Sequence, residues 1–159
     1  MRVLIVSDTH GSHRNLEKVI ERTEGIDLLI HLGDTEGKED YIDALAGCPS
    51  CIVGGNNDFF SDLPREKEFM LEGKRVFITH GHQYYVSMGE ERLRKAAKKR
   101  GADIAMYGHT HKPSISVEDG VMVLNPGSIA YPRQAERKST YMVMEIEEGK
   151  DADVRLMYV

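Results

Sequence analysis

The chain has 159 residues, of which 40% are hydrophobic and 30% are charged, and this length and composition predict one globular domain that spans residues 1–159. It contains no apolar run of membrane-spanning length and no secretory signal at the N-terminus, so we expect a cytoplasmic protein without a membrane partner. The net charge of −5 argues against general affinity for the nucleic-acid backbone, although it leaves a small phosphate-containing substrate open.

The first third of the chain predicts strands that alternate with helices. Continuous apolar runs indicate three buried strands, at residues 2–7, 28–32 and 51–53. Apolar residues at helical spacing indicate two helices, from the candidate N-cap Ser12 to Gly25 and at about residues 38–46. In the second helix, Tyr41, Ile42 and Leu45 are expected to face inward. Because crossovers between parallel strands are right-handed, this β-α-β-α-β order predicts a parallel sheet.

The remaining sequence predicts a second group of strands and one more helix. Residues 67–71 and 75–79 flank a Glu72-Gly73 turn and are expected to form a hairpin. A helix and a strand follow, at 89–100 and 104–107. Two antiparallel pairs are expected after them, 114–118 with 121–124 and 140–147 with 152–159. The whole pattern predicts an α/β fold in which two mixed sheets pack together and carry helices on their outer faces.

Polar side chains follow each of the three predicted N-terminal strands. Asp8 and His10 follow the first strand, Asp34 follows the second, and Asn56 with Asp58 follows the third. The carboxyl ends of parallel strands lie at one edge of a sheet, where sites form in open α/β folds. Residues two apart in extended backbone point the same way, so Asp8 and His10 are expected to share one cation.

Two later motifs add imidazoles to this set, His80-Gly81-His82 and Gly108-His109-Thr110-His111. The candidate metal ligands are therefore Asp8, His10, Asp34, Asn56, His80, His109 and His111. Imidazole and carboxylate without thiolate suit a catalytic pair of manganese, iron, nickel or zinc ions. Seven donors exceed the four of a closed zinc site and suit two ions that share a carboxylate, for which Asp34 is the natural bridge. Two ions about 3.5–4 Å apart can hold a hydroxide that attacks a phosphoryl centre.

Five motifs in this order resemble those of the calcineurin-like metallophosphoesterases, namely Asp8-Thr9-His10, Gly33-Asp34, Gly55-Asn56-Asn57-Asp58, His80-Gly81-His82 and Gly108-His109-Thr110-His111. The short chain, with Asn125-Pro126-Gly127-Ser128 and Pro132-Arg133, is most similar to the small YfcE-type phosphodiesterases. The resemblance implies a four-layer αββα sandwich with a dinuclear metal site, in which manganese is the expected ion. By the family pattern, one metal would be held by Asp8, His10, Asp34 and His111, and the other by Asp34, Asn56, His80 and His109.

The chain departs from the family pattern at Asn57. Many members carry a histidine directly after the motif asparagine, where it contacts phosphate and can protonate the leaving group. An amide donates a hydrogen bond but does not usefully transfer a proton, and general acid catalysis is typically worth about 10²–10⁴ in rate. We therefore expect a preference for esters whose leaving groups need little protonation. His82 is the other candidate proton donor, although a role in supporting the ligands is commoner for such a residue.

Three further side chains near the motifs have expected roles. Asp58 is a candidate ligand by composition, whereas the family pattern implies that it fixes its loop through hydrogen bonds. His31 is expected to be packed in the interior or to support a ligand. Arg133 can meet a substrate phosphate through its planar guanidinium group or pair with a nearby carboxylate, and the sequence does not decide between the two.

The resemblance leaves more than one function open. The first is a metal-dependent phosphodiesterase that acts on a small phosphodiester substrate through a water or hydroxide held between two metals. The second is a non-catalytic interaction scaffold, as in the metallophosphoesterase-like subunit of the retromer coat, where the first-motif histidine is replaced. A phosphomonoesterase or a nuclease would keep the chemistry, but a nuclease would usually need extra capping elements. The expected ligands, His10 included, favour the enzyme. Formation of a homo-oligomer is left open.

Overall fold

The computed structural model describes residues 1–159 and contains ten β-strands and three α-helices. In chain order these are β1 (Arg2–Val6), α1 (Arg14–Arg22), β2 (Leu28–His31), α2 (Glu39–Ala46), β3 (Ser50–Ile52), β4 (Glu66–Leu71), β5 (Lys74–Thr79), α3 (Glu91–Lys99), β6 (Ile104–Met106), β7 (Pro113–Glu118), β8 (Val121–Pro126), β9 (Thr140–Glu145) and β10 (Asp153–Tyr158). Two short 3₁₀ turns, His82–Tyr84 and Val86–Met88, precede α3. None of the α-helices has the length and apolar character needed to cross a bilayer.

The strands form two five-stranded mixed sheets. The first sheet has the order β10-β9-β1-β2-β3, in which β1, β2 and β3 are parallel and β9 and β10 are antiparallel. The second has the order β4-β5-β6-β8-β7, with β5, β6 and β8 parallel and an antiparallel strand at each edge. The predicted α/β class, the N-terminal β-α-β-α-β unit and the mixed sheets are therefore confirmed.

Alternation along the strands shows how the layers pack. In β1, Val3 and Ile5 belong to the core between the two sheets, whereas Leu4 and Val6 point to the opposite face, which α1 and α2 cover. The second sheet repeats the arrangement, because Phe77 of β5 packs toward α3 while its neighbours along the strand face the first sheet. Successive side chains of a strand point to opposite faces, so each sheet is apolar on both sides. The result is the four-layer αββα sandwich that the sequence predicts.

Two local expectations about the helices are wrong. Helix α1 begins at Arg14, and His13 occupies its N-cap position without a side-chain hydrogen bond, so Ser12 does not cap it. Tyr41 of α2 is 44% exposed, and its hydroxyl donates to a carboxylate oxygen of Glu17 at 2.6 Å. Helix α2 has only eight residues and buries a narrow apolar stripe, and the polar hydroxyl of Tyr41 is better satisfied at the surface.

Candidate metal centre

The loops after the strands place the predicted ligands in unusual backbone conformations. Strand β1 ends at Val6, and Asp8 and His10 follow with φ angles of 57° and 46°. Asp34, His109 and His111 also have positive φ, at 60°, 67° and 58°. The extended geometry expected for Asp8 and His10 is therefore wrong. Left-handed backbone is uncommon for residues other than glycine and concentrates at functional sites.

The first group of donors consists of Asp8, His10 and His111. Asp8 Oδ1 lies 3.1 Å from His111 Nε2 and 3.8 Å from His10 Nε2. The two Nε2 atoms of His10 and His111 are 3.2 Å apart. Three donors from the loops after β1 and β6 thus meet around one point.

The second group surrounds His80. Its Nε2 atom lies 3.0 Å from Asn56 Oδ1 and 3.4 Å from Asp34 Oδ2, and His109 Nδ1 lies 2.9 Å from the same Asn56 oxygen. Asp34 Oδ2 is also 3.6 Å from His10 Nε2, in the first group. The carboxylate of Asp34 therefore lies between the two groups. The structure brings the seven candidate ligand side chains together.

In His80 and His111, a hydrogen bond to the ring nitrogen that points away from the cluster sets which nitrogen faces the cluster. His80 Nδ1 lies 2.7 Å from the carbonyl oxygen of Leu32, and His111 Nδ1 lies 2.6 Å from that of Tyr131. Because a carbonyl oxygen only accepts, both Nδ1 atoms carry a hydrogen, and in the neutral ring each Nε2 atom then presents its lone pair to the cluster. This is the arrangement in which metal-binding histidines are commonly fixed.

The contacts of Asp8 and His10 fit a bound cation. His10 Nδ1 lies 2.7 Å from a carboxylate oxygen of Glu36, which leaves its Nε2 lone pair facing that of His111. Two unprotonated nitrogens at this distance repel each other unless a positive charge lies beside them. Asp8 Oδ1 is buried and accepts no hydrogen bond, which is costly for a carboxylate oxygen. A divalent metal among these donors would satisfy all of them.

The electrostatics of the cluster favour positive charge. Burial alone would raise the pKa of Asp8, but the neighbouring imidazoles of His111 and His80 lower that pKa overall. Burial also opposes ionisation of Asp34, yet the pKa of Asp34 is lowered by His80 and by hydrogen bonds from Asn57. The pKa of His80 is raised despite its burial, because both carboxylates attract a proton there. The centre therefore holds two ionised carboxylates in the protein interior.

Asp58 fixes the loops that carry the candidate ligands, as the family pattern implies. Its Oδ2 atom accepts hydrogen bonds from the backbone N–H groups of Asp34 and Gly55, at 2.8 and 2.7 Å. Its Oδ1 atom accepts from the N–H of Glu36 at 2.6 Å and from the hydroxyl of Thr35 at 3.1 Å. One buried carboxylate thereby joins the loop after β2 to the loop after β3.

The two candidate catalytic residues lie in different surroundings. The backbone N–H and the side-chain amide of Asn57 donate to the two carboxylate oxygens of Asp34, at 2.9 and 2.8 Å. The ring of His82 is half-buried, 5.6 Å from that of His80 and 6.1 Å from that of His109, and its Nδ1 has no hydrogen-bond partner. Burial and these two neighbouring rings lower the pKa of His82. Asn57 thus orients the carboxylate of a candidate ligand directly, whereas His82 lies beside the cluster.

The sequence reasoning missed the role of Glu36 and the tightness of packing at Gly55. Glu36 comes two residues after Asp34 and pairs with His10 in the loop after β1, a long-range contact with no signal in the local pattern. A Cβ atom on Gly55 would lie 2.0 Å from Asp34 Oδ1 and 2.5 Å from its backbone nitrogen. The loop after β3 therefore packs against Asp34 so closely that only glycine fits.

A cavity of about 710 Å³ opens beside the first donor group. Its walls are formed by His10, Glu36, His111, Ala130, Tyr131, Pro132, Arg133 and Arg137. The backbone N–H of Arg133 donates to the carbonyl oxygen of His111 at 3.0 Å, and its guanidinium group takes part in no ion pair. The sequence leaves two roles open for Arg133, contact with a substrate phosphate or pairing with a carboxylate. The structure shows no carboxylate partner for its guanidinium group.

Comparison with known proteins agrees with this geometry. The sequence model of the calcineurin-like phosphoesterase superfamily domain matches residues 1–149. A Bacillus subtilis protein named "Probable metallophosphoesterase YsnB" is 35% identical over 148 residues, which cover 92% of this chain and 85% of that protein. The phosphodiesterase MJ0936 of Methanocaldococcus jannaschii is 32% identical over 145 residues, with 80% of this chain and 83% of the relative covered.

Solved structures show the same architecture. A predicted phosphoesterase from Streptococcus pneumoniae has a TM-score of 0.86 and 30% identity, covering 99% of this chain and 88% of its own. Vps29 from Entamoeba histolytica, solved in complex with zinc, has a TM-score of 0.79 and 24% identity and covers 99% of each chain, a likeness of fold alone. With a family match over residues 1–149 and relatives above 30% identity, this chain belongs to the calcineurin-like phosphoesterase superfamily.

Proposed function

We propose that the chain, acting as one domain, is a phosphodiesterase that hydrolyses small phosphodiesters with the help of two divalent metal ions. The observation that carries the proposal is the position of Asp34 Oδ2, which lies 3.6 Å from His10 Nε2 and 3.4 Å from His80 Nε2. A carboxylate oxygen between two groups of donors is what a pair of ions sharing one ligand requires. The phosphodiesterase name of the MJ0936 relative supports the reaction class.

The donors divide naturally between two ions. One ion would be held by Asp8, His10, Asp34 and His111, and the other by Asp34, Asn56, His80 and His109. Their mixture of imidazole, carboxylate and amide favours manganese, with nickel, iron or zinc as alternatives. When bound, such a pair of ions supplies a water of lowered pKa and neutralises charge on the phosphoryl oxygens.

The protein's own side chains would orient the centre and set the choice of leaving group. Asn57 holds both carboxylate oxygens of Asp34 through its two hydrogen bonds, and it is placed to donate a hydrogen bond to a substrate oxygen. Asn57 supplies no proton to the leaving group, and His82 is the remaining candidate donor beside the cluster. The best substrates are therefore diesters whose leaving groups depart without protonation.

The direct test is removal and restoration of metal. The protein is stripped with a chelator, and manganese or nickel is restored while an aryl phosphodiester and a panel of phosphomonoesters are offered. We expect no turnover of the stripped protein, recovery on the diester with manganese, and slower turnover of the monoesters. Faster turnover of the monoesters would reassign the chain as a phosphomonoesterase, and no turnover with any metal would overturn the enzyme proposal.

The role of Asn57 is tested by leaving-group chemistry. A p-nitrophenyl alkyl phosphate and the matching dialkyl phosphate differ only in the leaving group. A general acid would narrow the rate gap between the two esters by about 10²–10⁴, so without one we expect the aryl ester to keep the full advantage of its intrinsic reactivity. Equal rates on the two esters, without dependence on solvent protons, would show that another residue protonates the leaving group.

A non-catalytic scaffold of the same fold is the second candidate function. It is supported by the shared fold of Vps29 and by two apolar side chains beside the centre, Phe59 and Phe60, which are 75% and 103% exposed. Neighbouring exposed aromatic residues are typical of protein interaction sites. The intact donor set favours the enzyme, and the metal-restoration experiment separates the two functions.

A further inference from the structure

Two arginines of the cavity beside the first donor group have no partner of their own. Arg133 and Arg137 both line this cavity together with His10 and His111. No side-chain hydrogen bond or ion pair engages either guanidinium group, whereas Arg100 elsewhere on the surface pairs with two carboxylates. A guanidinium group is a strong, planar, charged donor, and two of them free in one cavity suit a phosphate-type anion.

The segment that carries these arginines is fixed to the metal centre. His111 Nδ1 donates to the carbonyl oxygen of Tyr131, and the N–H of Arg133 donates back to the carbonyl oxygen of His111 at 3.0 Å. Arg137 closes a turn through its N–H bond to Gln134 at 3.0 Å and has a φ angle of 48°, which is uncommon outside glycine. The backbone at Arg133 is therefore bonded to a candidate ligand, and that at Arg137 is held by the turn that follows Arg133.

The charge of the cavity differs from that of the chain as a whole. Glu36 is the only acidic residue in its walls, and a carboxylate oxygen of Glu36 lies 2.7 Å from His10 Nδ1. Two guanidinium groups thus face one carboxylate that already has a partner, in a chain with a net charge of −5. A volume of about 710 Å³ is in the range of small-molecule sites, and the acidic surface elsewhere disfavours an extended polyanion.

We propose that the substrate is a small diester that carries a second anionic group of the phosphate type, which Arg133 and Arg137 bind while the ester phosphorus lies at the metal centre. The inference rests on the proposed phosphodiesterase function and adds the substrate class to it. The second anionic group belongs to one ester arm and takes no part in the hydrolysis. The arginines are therefore specificity determinants.

The test compares two esters that differ only in this group, p-nitrophenyl propyl phosphate and p-nitrophenyl 3-phosphonopropyl phosphate. Charge-assisted hydrogen bonds from two partly exposed guanidinium groups predict a kcat/KM at least about 10-fold higher for the phosphonate-bearing ester. The double variant R133Q/R137Q should lose this preference, so that the ratio of kcat/KM for the two esters falls to about 1. The matched control K150Q/R155Q removes two exposed cations that pair with Glu147 and Asp153, and it should keep the preference.

Binding provides a readout that is independent of turnover. Calorimetric titration with propane-1,3-diphosphonate and with propylphosphonate should show tighter binding of the diphosphonate by a similar factor, lost in R133Q/R137Q and kept in the control. Equal kcat/KM for the two esters, with metal-dependent turnover of both, would overturn the inference and leave the phosphodiesterase intact. Turnover of neither ester with any metal would overturn both. Cleavage of a short oligothymidylate as fast as the phosphonate-bearing ester would overturn the small-substrate assignment.

Discussion

The two sheets contribute different chemistry to the candidate metal centre. The loops after the parallel strands of the first sheet carry every oxygen donor, namely Asp8, Asp34 and Asn56, together with His10. The loops after β5 and β6 of the second sheet carry only imidazoles, those of His80, His109 and His111. The negative charge of the site therefore comes from one half of the sandwich.

The means of holding the side chains differ in the same way. The carboxylate of Asp34 accepts hydrogen bonds from the backbone and side chain of Asn57, and that of Asp8 accepts from Ser7 and from the N–H of His109. The imidazole of His80 instead donates to a backbone carbonyl. Donors keep a buried carboxylate ionised, whereas an acceptor fixes the tautomer of an imidazole. The first sheet sets the charge of the site, and the second adds imidazoles, among which a backbone carbonyl oxygen fixes the tautomer of His80.

The largest expected effect comes from the shared carboxylate. Asp34→Asn removes the charge that lies between the two donor groups, so we expect loss of both metals and a fall in kcat of at least about 10³-fold. His109→Gln removes one nitrogen from one group and should lower kcat less and leave one metal bound. Metal content by elemental analysis and kcat on an aryl diester check both variants. Full activity of Asp34→Asn would dismantle the ligand assignment.

Packing behind Asp34 gives the next effect. In Gly55→Ala the new Cβ would lie 2.0 Å from Asp34 Oδ1 and 2.5 Å from its backbone nitrogen, and the backbone cannot move aside cheaply. We expect the free energy of unfolding to fall by about 3 kcal/mol, with loss of metal binding.

The matched control for Gly55→Ala is Gly101→Ala. Gly101 has a φ angle of 66° and nothing within 4 Å of its Cβ position, so its cost of about 1–2 kcal/mol is conformational only. Urea unfolding of both variants checks the difference. Equal losses in the two would mean that the loop after β3 yields and that the first sheet is less rigid at the centre than its contacts indicate.

A smaller effect is expected from Asp58→Asn. In this variant the amide NH₂ group would face backbone N–H groups that donate to the carboxylate of Asp58 in the wild type. Because two donors would then oppose each other, we expect a destabilisation of about 2 kcal/mol and a 10- to 100-fold weaker affinity for metal. Asp62→Asn, at an exposed site, serves as the control. Equilibrium dialysis with manganese measures the affinity. Unchanged affinity with reduced stability would limit Asp58 to holding the fold.

The sequence predicts much of this centre because its ligands directly follow apolar runs. The apolar runs before Asp8, Asp34 and Asn56 are strands of the first sheet. Because these strands are parallel, their carboxyl ends lie at one edge of the sheet, whatever conformation the following loops adopt. The left-handed backbone of Asp8 and His10 has no comparable signal, since φ at such residues is imposed by distant contacts. The carbonyl oxygen of Tyr131 that accepts from the ring of His111 lies 20 residues further along the chain, and no local sequence pattern predicts this contact.

The smallest expected effect concerns His31, an imidazole of the first sheet. Its Nδ1 atom accepts a hydrogen bond, whereas the Nδ1 atom of His80 donates one. His31 Nδ1 accepts from the N–H of Gly33 at 3.2 Å and its Nε2 lies 3.1 Å from the hydroxyl of Thr9, so the ring is neutral and cannot serve as a ligand. Complete burial lowers the pKa of His31 from 6.5 to about 4, against the smaller opposing effects of Asp8 and Asp58.

Between pH 6.5 and about 4 the unfolded chain binds a proton at His31 that the folded chain does not, so the free energy of unfolding falls as the pH falls. From pH 7.5 to 5.5 this amounts to about 1 kcal/mol. His31→Gln keeps one acceptor and one donor but does not titrate. Urea unfolding of the metal-free proteins at both pH values should show a loss in the wild type that exceeds that in the variant by this amount. An equal loss in both would place a proton on His31 in the folded protein and contradict the neutral ring that its contacts with Gly33 and Thr9 indicate.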